Sequence, residues 1–441
     1  MRRAARPLLY LGVLVIVFGL AKVHAVFIGH YDFTGTSRFG WTVLYAALLC
    51  LTAYAFGLPE VPTTRPAVVR ASVGAALVGA FAISLVQLLA GDALLPRFVV
   101  FGSALVLPDW YRICVRMHAG ARSRAEARDR VVVIAGSDEV AALDLELRGQ
   151  PERPASIVGS LSVAGASVAP GGPAPLVALV EERGPSVVVL DKAAQDVPSI
   201  VTQVAELHER GVRVRSLTMF YEEWLAKLPL SELERASLLF DIGEVHRAGY
   251  SRAKRFVDIP LALIGGVALI VVLPIVWVVN RFANKGPLFY RQERVGKGGV
   301  HFTILKLRTM RPRPSGDLAN EWTTEDDPRI TSFGRILRKT HVDELPQVIN
   351  ILRGDLGIVG PRPEQPHYVA ELSGKLPFYP LRHLVRPGLT GWAQVKYGYA
   401  GTETDALEKL QYEFWYLRHQ NLGLDLRIIG RTIRSVGQGG R

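Results

Sequence analysis

"KRFVDIPLALIGGVALIVVLPIVWVVNRF", residues 254 to 282, is apolar over most of its length yet carries Asp258 near one end and prolines at 260 and 274. A helix of about 20 residues crosses the hydrocarbon core of a bilayer, so this run is long enough to span, which would put everything after residue 285 on the far side. A charge near one end and a proline in the middle suit equally a broken helix that enters one leaflet and returns, provided the backbone groups freed at Pro274 find partners. The residues alone leave both readings open, with length favouring the span.

The rest of the chain narrows the setting. Of 441 residues, 49% are hydrophobic, which implies a membrane and two or three domains. Four apolar stretches come first, near Leu8 to Ile28, Phe39 to Leu58, Val68 to Leu89 and Leu94 to Ile113. Each is close to the length of one crossing, and four crossings return the chain to its starting side. The first is too long for a signal peptide, carries Lys22 and lacks a small-residue cleavage site, so it reads as an anchor. Arg2, Arg3 and Arg6 precede it, while Arg112, Arg116, Arg122, Arg124, Arg128 and Arg130 follow the fourth stretch. The positive-inside rule places both ends of this four-helix region, residues 1–118, in the cytoplasm.

The net charge of +12 admits nucleic acid as a partner, but arginines bordering apolar segments match anionic lipid, and no zinc-finger spacing or basic coiled coil is present. Nucleic acid is therefore not expected. The two cysteines, Cys50 and Cys114, lie in or beside apolar stretches and form no disulfide or thiolate-metal framework. From 129 to 245 the runs "RVVVIAG", "SIVGSLS", "PSVVVLD" and "GVRVRSL" alternate with helix-compatible polar stretches, the pattern of a Rossmann-like α/β domain. Its first turn, "IAGSDEV", lacks the G-x-G-x-x-G fingerprint, so a structural or regulatory role is better supported than nucleotide binding.

Residues 286–441 are soluble in character and hold the densest polar motifs, among them "KTHVDELPQ", residues 339 to 347. The apolar spacing of Leu345, Val348, Ile349 and Leu352 predicts a helix. Asp343 as its N-cap puts Pro346 in the first turn, where the missing N–H costs nothing, and the helix dipole then holds Asp343 ionised. Cap and catalytic carboxylate pair, Asp343 with Glu344, stand level on this stretch alone. Arg308, Arg338, Arg362 and Arg386 each sit beside turn formers or a helix end. A single exposed arginine is usually only solvated, but four on proline- and glycine-stiffened turns suggest a cage for phosphate oxygens. Paired carboxylates in such a cage suit Mg2+ on a diphosphate, and an aspartate can itself attack phosphorus. No G-x-S-x-G or H-E-x-x-H is present. Tyr250 and Lys254 have the Y-x-x-x-K spacing of short-chain dehydrogenases but lack the companion glycines.

The ordered motifs "KRFVDI", "GPLFYRQERVG", "LKLRTM", "DELPQ", "VGPRPE" and "RPGLTGWAQV", from about Lys254 to Thr432, closely resemble the bacterial sugar transferases, monotopic polyprenyl-phosphate glycosyl-1-phosphate transferases that start capsule, exopolysaccharide and O-antigen assembly. The preceding helices and α/β module resemble the larger, polymer-initiating members. The resemblance implies a membrane α-helical N-terminal bundle, the α/β middle domain, and a mostly helical α/β catalytic domain at 286–441. It also makes residues 250–285 a re-entrant membrane helix broken at Pro274, although Leu273-Pro274 stands where the family commonly has Ser-Pro. It casts Asp343 as nucleophile and Glu344 as its partner in metal binding or proton transfer. Arg338, Arg362 and Arg386 become phosphate-binding positions, with Lys306 and Arg308 in a further family motif, and "YEFWY" (412–416) an aromatic helix serving in packing or anchoring.

The implied reaction moves a hexose 1-phosphate, glucose or galactose, from a UDP-sugar to undecaprenyl phosphate with Mg2+ as cofactor. It would proceed in the bacterial inner membrane, among membrane lipid, with the soluble domains facing the cytoplasm. A homodimer, through the membrane helices or the α/β module, is one arrangement the sequence allows. Two other readings remain: a membrane scaffold that senses nucleotide sugars without chemistry, and a nucleotide-sugar oxidoreductase or epimerase requiring NAD.

Overall fold

A computed structural model describes residues 2–59, 65–90, 95–122, 129–148, 155–168, 172–229, 245–284, 286–311, 327–376, 378–397 and 403–436. It divides into two compact units, one of residues 1–121, 244–413 and 419–441, the other of residues 122–243 and 414–418.

The apolar runs at the start of the first unit form α1 (Arg2–Val23, extended by a π turn His24–Ile28), α2 (Ser37–Ala55), α3 (Arg65–Ala90) and α4 (Arg97–Arg122). All four are long and apolar enough to cross a membrane. Their shared core holds Leu9, Val13, Tyr45, Leu49, Ala75 and Leu107, while Leu11, Val15, Phe81 and Leu105 point outward. Helices apolar inside and out suit hydrocarbon surroundings, where backbone groups must be satisfied within the helix. Polar groups in this core pair locally: the Tyr45 hydroxyl meets Ser103 Oγ at 2.6 Å, and Trp110 Nε1 donates to the Leu9 carbonyl at 3.2 Å.

In the second unit, β1 (Asp129–Ile134), β2 (Ala155–Leu161), β3 (Val187–Leu190) and β4 (Arg213–Ser216) form one parallel sheet of order β2-β1-β3-β4. Crossover helices α5 (Ser137–Arg148), α6 (Pro175–Arg183) and α7 (Pro198–Glu209) connect them. Val131 and Val133 face a cluster with Leu143 and Phe220, whereas Val132 and Ile134 face another with Leu176 and Ile200. Burial on both faces is why these strands read as unbroken β-branched runs rather than alternating ones.

The rest of the first unit begins with α8 (Val245–Ala283), a single continuous helix of 39 residues. The expected break at Pro274 is thus not an interruption: a proline deletes one bond of the ladder and the turns on either side carry on. One face of α8 packs along the domain that follows. Ala262 and Leu269 join Ile304, Val348, Ile351 and Leu356, and Val276 joins Leu307 and Leu337. The opposite face exposes Phe256, Ile270, Val271, Ile275, Trp277 and Phe282.

Beyond α8 come the antiparallel hairpin β5 (Phe289–Val295) and β6 (His301–Leu307), α9 (Ser332–Lys339), a 3₁₀ helix Val342–Gln347 running into α10 (Val348–Arg353), and β7 (Gly357–Val359). After α11 (Pro366–Lys375), β8 (Gly388–Thr390) pairs in parallel with β7, followed by α12 (Glu403–His419) and α13 (Leu422–Val436). Helix α13 ties this domain to α8 and α2. Asp425 accepts from Tyr250 at 2.6 Å and Lys254 at 2.5 Å, and Arg427 donates to the Tyr54 hydroxyl at 3.3 Å. Tyr250 and Lys254, four apart on one helical face, therefore share an anchoring carboxylate. Tyr412 of the aromatic stretch is buried, as are Phe414 and Tyr416, which belong to the second unit, so packing is their role.

Candidate active site

The site is assembled where three elements present charge to one another. Strand β6 carries Lys306, and its edge opposite β5 is met by a side chain instead of a strand. The Asn350 amide, fully buried, accepts from Leu305 N at 3.2 Å and donates to the Thr303 carbonyl at 2.8 Å. It thus bonds the carbonyl and N–H that a neighbouring strand would have bonded. This locks the helix that follows the carboxylate pair to the strand bearing Lys306, whose Nζ lies 2.6 Å from Glu344 Oε1.

Helix α9 is capped by Thr331, whose hydroxyl accepts from Gly334 N at 3.0 Å, and ends with Arg338 in its last turn. The chain then reverses through His341, at a left-handed φ of 54°. The expected N-cap position of Asp343 is corrected here: His341 precedes the helix and Asp343 lies inside its first turn. The turn is 3₁₀ because Pro346 has no N–H for an α-helical bond to Val342, and the tighter i→i+3 pattern leaves His341 O to accept from Glu344 N at 3.2 Å.

A second expectation also changes. Asp343 is 8% exposed, and burial together with the charge of Glu344 pushes its carboxyl up to about 6, against the pull of Lys306 and Arg338. The helix end does not hold it ionised as firmly as the sequence suggested, because desolvation and a like-charged neighbour outweigh it. Glu344 behaves oppositely. Burial penalises its charge, but Lys306 and Arg362 more than offset that and hold it well below the usual carboxylate range. The pair is thus split into one firmly ionised member and one poised near neutrality.

Arg362 reaches Glu344 Oε1 from Nη2 at 3.1 Å, and its place is set by close backbone packing. A Cβ on Gly360 would fall 2.4 Å from the Arg386 carbonyl oxygen, and one on Gly388 would fall 2.1 Å from Gly360 N. Only glycine lets the Arg362 turn and the Arg386 turn lie against each other. The Arg362 carbonyl also accepts from Arg382 Nη2 at 2.9 Å. Arg382 is held in turn by Glu413, Nε to Oε2 at 2.8 Å and Nη2 to Oε1 at 2.7 Å, with both side chains buried.

Of the residues singled out from sequence, Asp343, Glu344, Lys306, Arg338 and Arg362 come together. Arg338 places one buried guanidinium nitrogen, Nη1, without a hydrogen-bond partner. Arg386 is half-buried beside Gly360. Arg308 is engaged elsewhere: its guanidinium donates to the Asn284 carbonyl at the end of α8, while Asn284 Nδ2 donates to the Arg308 carbonyl at 2.8 Å. Gly286, at φ 128°, leaves room for that guanidinium. Cations at a helix C-terminus satisfy its last carbonyls, a use that the same sequence motif does not reveal.

Residues that sequence reasoning passed over are Arg294, Gln347, Asn350 and the Arg382–Glu413 pair. Arg294, Lys306, Glu344, Gln347 and Arg362, with Ile304, Pro363, Gly388 and Leu389, line a small cleft. Arg294 and Gln347 stood inside the quoted motifs "GPLFYRQERVG" and "DELPQ", which were the available signal. Among the described residues no three His, Cys, Asp or Glu side chains cluster as a metal site.

The profile of the family described as bacterial sugar transferase matches residues 249–439. A UDP-N-acetylgalactosamine-undecaprenyl-phosphate N-acetylgalactosaminephosphotransferase of Aeromonas hydrophila is 38% identical over 187 residues, 42% of this chain and 44% of that protein. A UDP-glucose:undecaprenyl-phosphate glucose-1-phosphate transferase of Xanthomonas campestris is 40% identical over 191 residues, 42% of this chain and 39% of the relative. The match thus spans less than half the length of these two relatives. A protein of the latter description from Caulobacter vibrioides is 39% identical over 197 residues, 44% of this chain and 73% of its own length. Matched across nearly three quarters of that relative, and by the family profile over residues 249–439, which hold the carboxylate pair, the chain belongs to the bacterial sugar transferase family.

Proposed function

We propose that this protein transfers a sugar 1-phosphate from a UDP-sugar to undecaprenyl phosphate, releasing UMP, as the first step of surface-polysaccharide assembly. The observation that carries this reading is the divided carboxylate pair: Glu344 is neutralised by Lys306 and Arg362, while the Asp343 carboxylate is hydrogen-bonded to no described residue. An aspartate left unpaired against cations is suited to attack an electrophile that brings its own negative charge.

In the proposed sequence an Asp343 oxygen attacks the β-phosphorus, the bond from that phosphorus to the bridging oxygen breaks, and UMP leaves with the bridging electron pair. A phosphate oxygen of the lipid then attacks the same phosphorus and releases the Asp343 carboxylate. Lys306, Arg338, Arg362 and Arg386 supply positive charge for the phosphate oxygens, so positioning and electrostatics carry most of the rate. Asp343, and Glu344 through Oε2, which no described residue bonds, offer hard oxygen donors that fit Mg2+, its shell completed by phosphate oxygens and water. Bound there, Mg2+ would neutralise diphosphate charge. The sugar is proposed to be a hexose such as glucose or galactose.

The lipid-facing part of the reading rests on α8. From Lys254 to Asn284 its one face is packed on the domain that holds the site, while the opposite face is apolar and exposed. A helix crossing the bilayer could not keep a polar catalytic domain along its whole length, so we read α8 as lying in one leaflet. In a variant lacking Cys50 and Cys114, Lys297→Cys should resist a membrane-impermeant thiol reagent applied from the periplasm, whereas His30→Cys should react. Labelling of Lys297→Cys would mean that α8 spans.

The decisive assay is UMP release from UDP-glucose, UDP-galactose and UDP-N-acetylgalactosamine, with and without undecaprenyl phosphate. Lipid-dependent UMP release supports the transferase. Nucleotide-sugar binding without UMP release would instead identify a scaffold.

A further inference from the structure

Gln347 is 3% exposed, lines the cleft, and its carboxamide hydrogen-bonds to none of the described residues. With no partner among those residues, both the donor and the acceptor of this amide are open to a ligand in the cleft. Its direction follows from the helix type. Residues three apart in a 3₁₀ helix eclipse one another, so Glu344 and Gln347, at the third and sixth positions of Val342–Gln347, stack on one face.

We propose that Gln347 binds a hydroxyl of the sugar attached to the β-phosphate and so contributes to the choice of donor; this rests on the transfer reaction proposed above. A carboxamide offers a donor and an acceptor side by side, which matches a hydroxyl group. Phosphate oxygens only accept, and Lys306 and Arg362, which line the same cleft, are the cations proposed above to serve them. Uracil also offers both functions, but it lies beyond the α-phosphate and a ribose from the phosphorus that Asp343 attacks. The sugar is joined to that phosphorus through one oxygen. The cleft wall points in the same direction: Ile304, Pro363 and Leu389 are aliphatic, suited to the C–H face of a pyranose, and among the described residues no aromatic ring lines the cleft to stack a base.

The test compares wild type with Gln347→Met, which keeps length and removes the amide, and Gln347→Asn, which withdraws it by one methylene. The probes are whichever of UDP-glucose and UDP-N-acetylgalactosamine turns over faster, its monodeoxy analogues, and UMP as competitor. Wild type should disfavour one monodeoxy analogue by about 10- to 100-fold in kcat/KM. Gln347→Met should lose a similar factor on the parent sugar and treat the two alike, Gln347→Asn should fall between, and UMP competition should be unchanged, which also reports a folded site. Discrimination retained in both variants, or weakened UMP competition in its place, overturns the assignment while leaving the transfer reaction standing. No UMP release by wild type overturns both.

Discussion

Asp343→Asn is expected to abolish covalent labelling. With a UDP-sugar carrying label in the β-phosphate and no lipid acceptor, wild type should acquire label on the protein and the variant should not. Steady-state UMP release should fall by roughly three orders of magnitude or more, the scale on which loss of a nucleophile is felt. Equal labelling of the two proteins would remove Asp343 from that role.

Burial and the Glu344 charge raise the Asp343 carboxyl to about 6, so its nucleophilic form is the minority below that pH. The labelling rate should therefore rise as pH increases through about 6 and level off above it. Glu344, held ionised throughout by Lys306 and Arg362, adds no second rise in that window. Lys306→Met removes one of the cations that pull the Asp343 carboxyl down, so it should move the rise to higher pH.

Glu413→Ala should produce the largest loss of stability. It leaves the Arg382 guanidinium buried without its bidentate carboxylate, and breaking a buried pair from one side costs about 3–5 kcal/mol. A marked drop in melting temperature in detergent is the expected result. Replacing both partners with apolar residues, Arg382→Met with Glu413→Leu, should restore much of the stability, because the desolvation penalty disappears with the charges. Activity should stay depressed in the double variant, since the Arg362 carbonyl still lacks the bond from Arg382 Nη2. Full recovery of both properties would reduce the pair to packing.

The two outcomes separate what could be read in one dimension from what could not. The four β-branched runs form the strands where their composition placed them, since burial on both faces leaves a signal within each segment. The four N-terminal apolar stretches form long helices for the same local reason. The carboxylate pair was legible because both members are adjacent in sequence and the motifs around them occur in order. The state of that pair was not. Asp343 and Glu344 are neighbours with the same charge, yet they diverge because Lys306 comes from a strand and Arg362 from a turn, both distant in sequence.

The arginines show the same division. Arg308 and Arg362 look alike on paper, each in a polar motif beside a turn. One faces the Asn284 carbonyl at a helix end and the other faces Glu344. Asn350 and the Arg382–Glu413 pair left no distinctive local mark, because a buried amide or ion pair is defined by partners brought from elsewhere.

The sequence by itself determined the segment types, the helices long and apolar enough to cross a membrane, the family and the adjacency of Asp343 and Glu344, all encoded in periodicity, composition and ordered motifs within short windows. Only the tertiary structure decided that α8 is one helix with a domain packed along its length, that Asp343 lies inside a 3₁₀ turn, and which cations face the pair. The physical reason is that desolvation, charge pairing and side-chain direction depend on distances in space, and those are set by the packing of segments far apart in the chain.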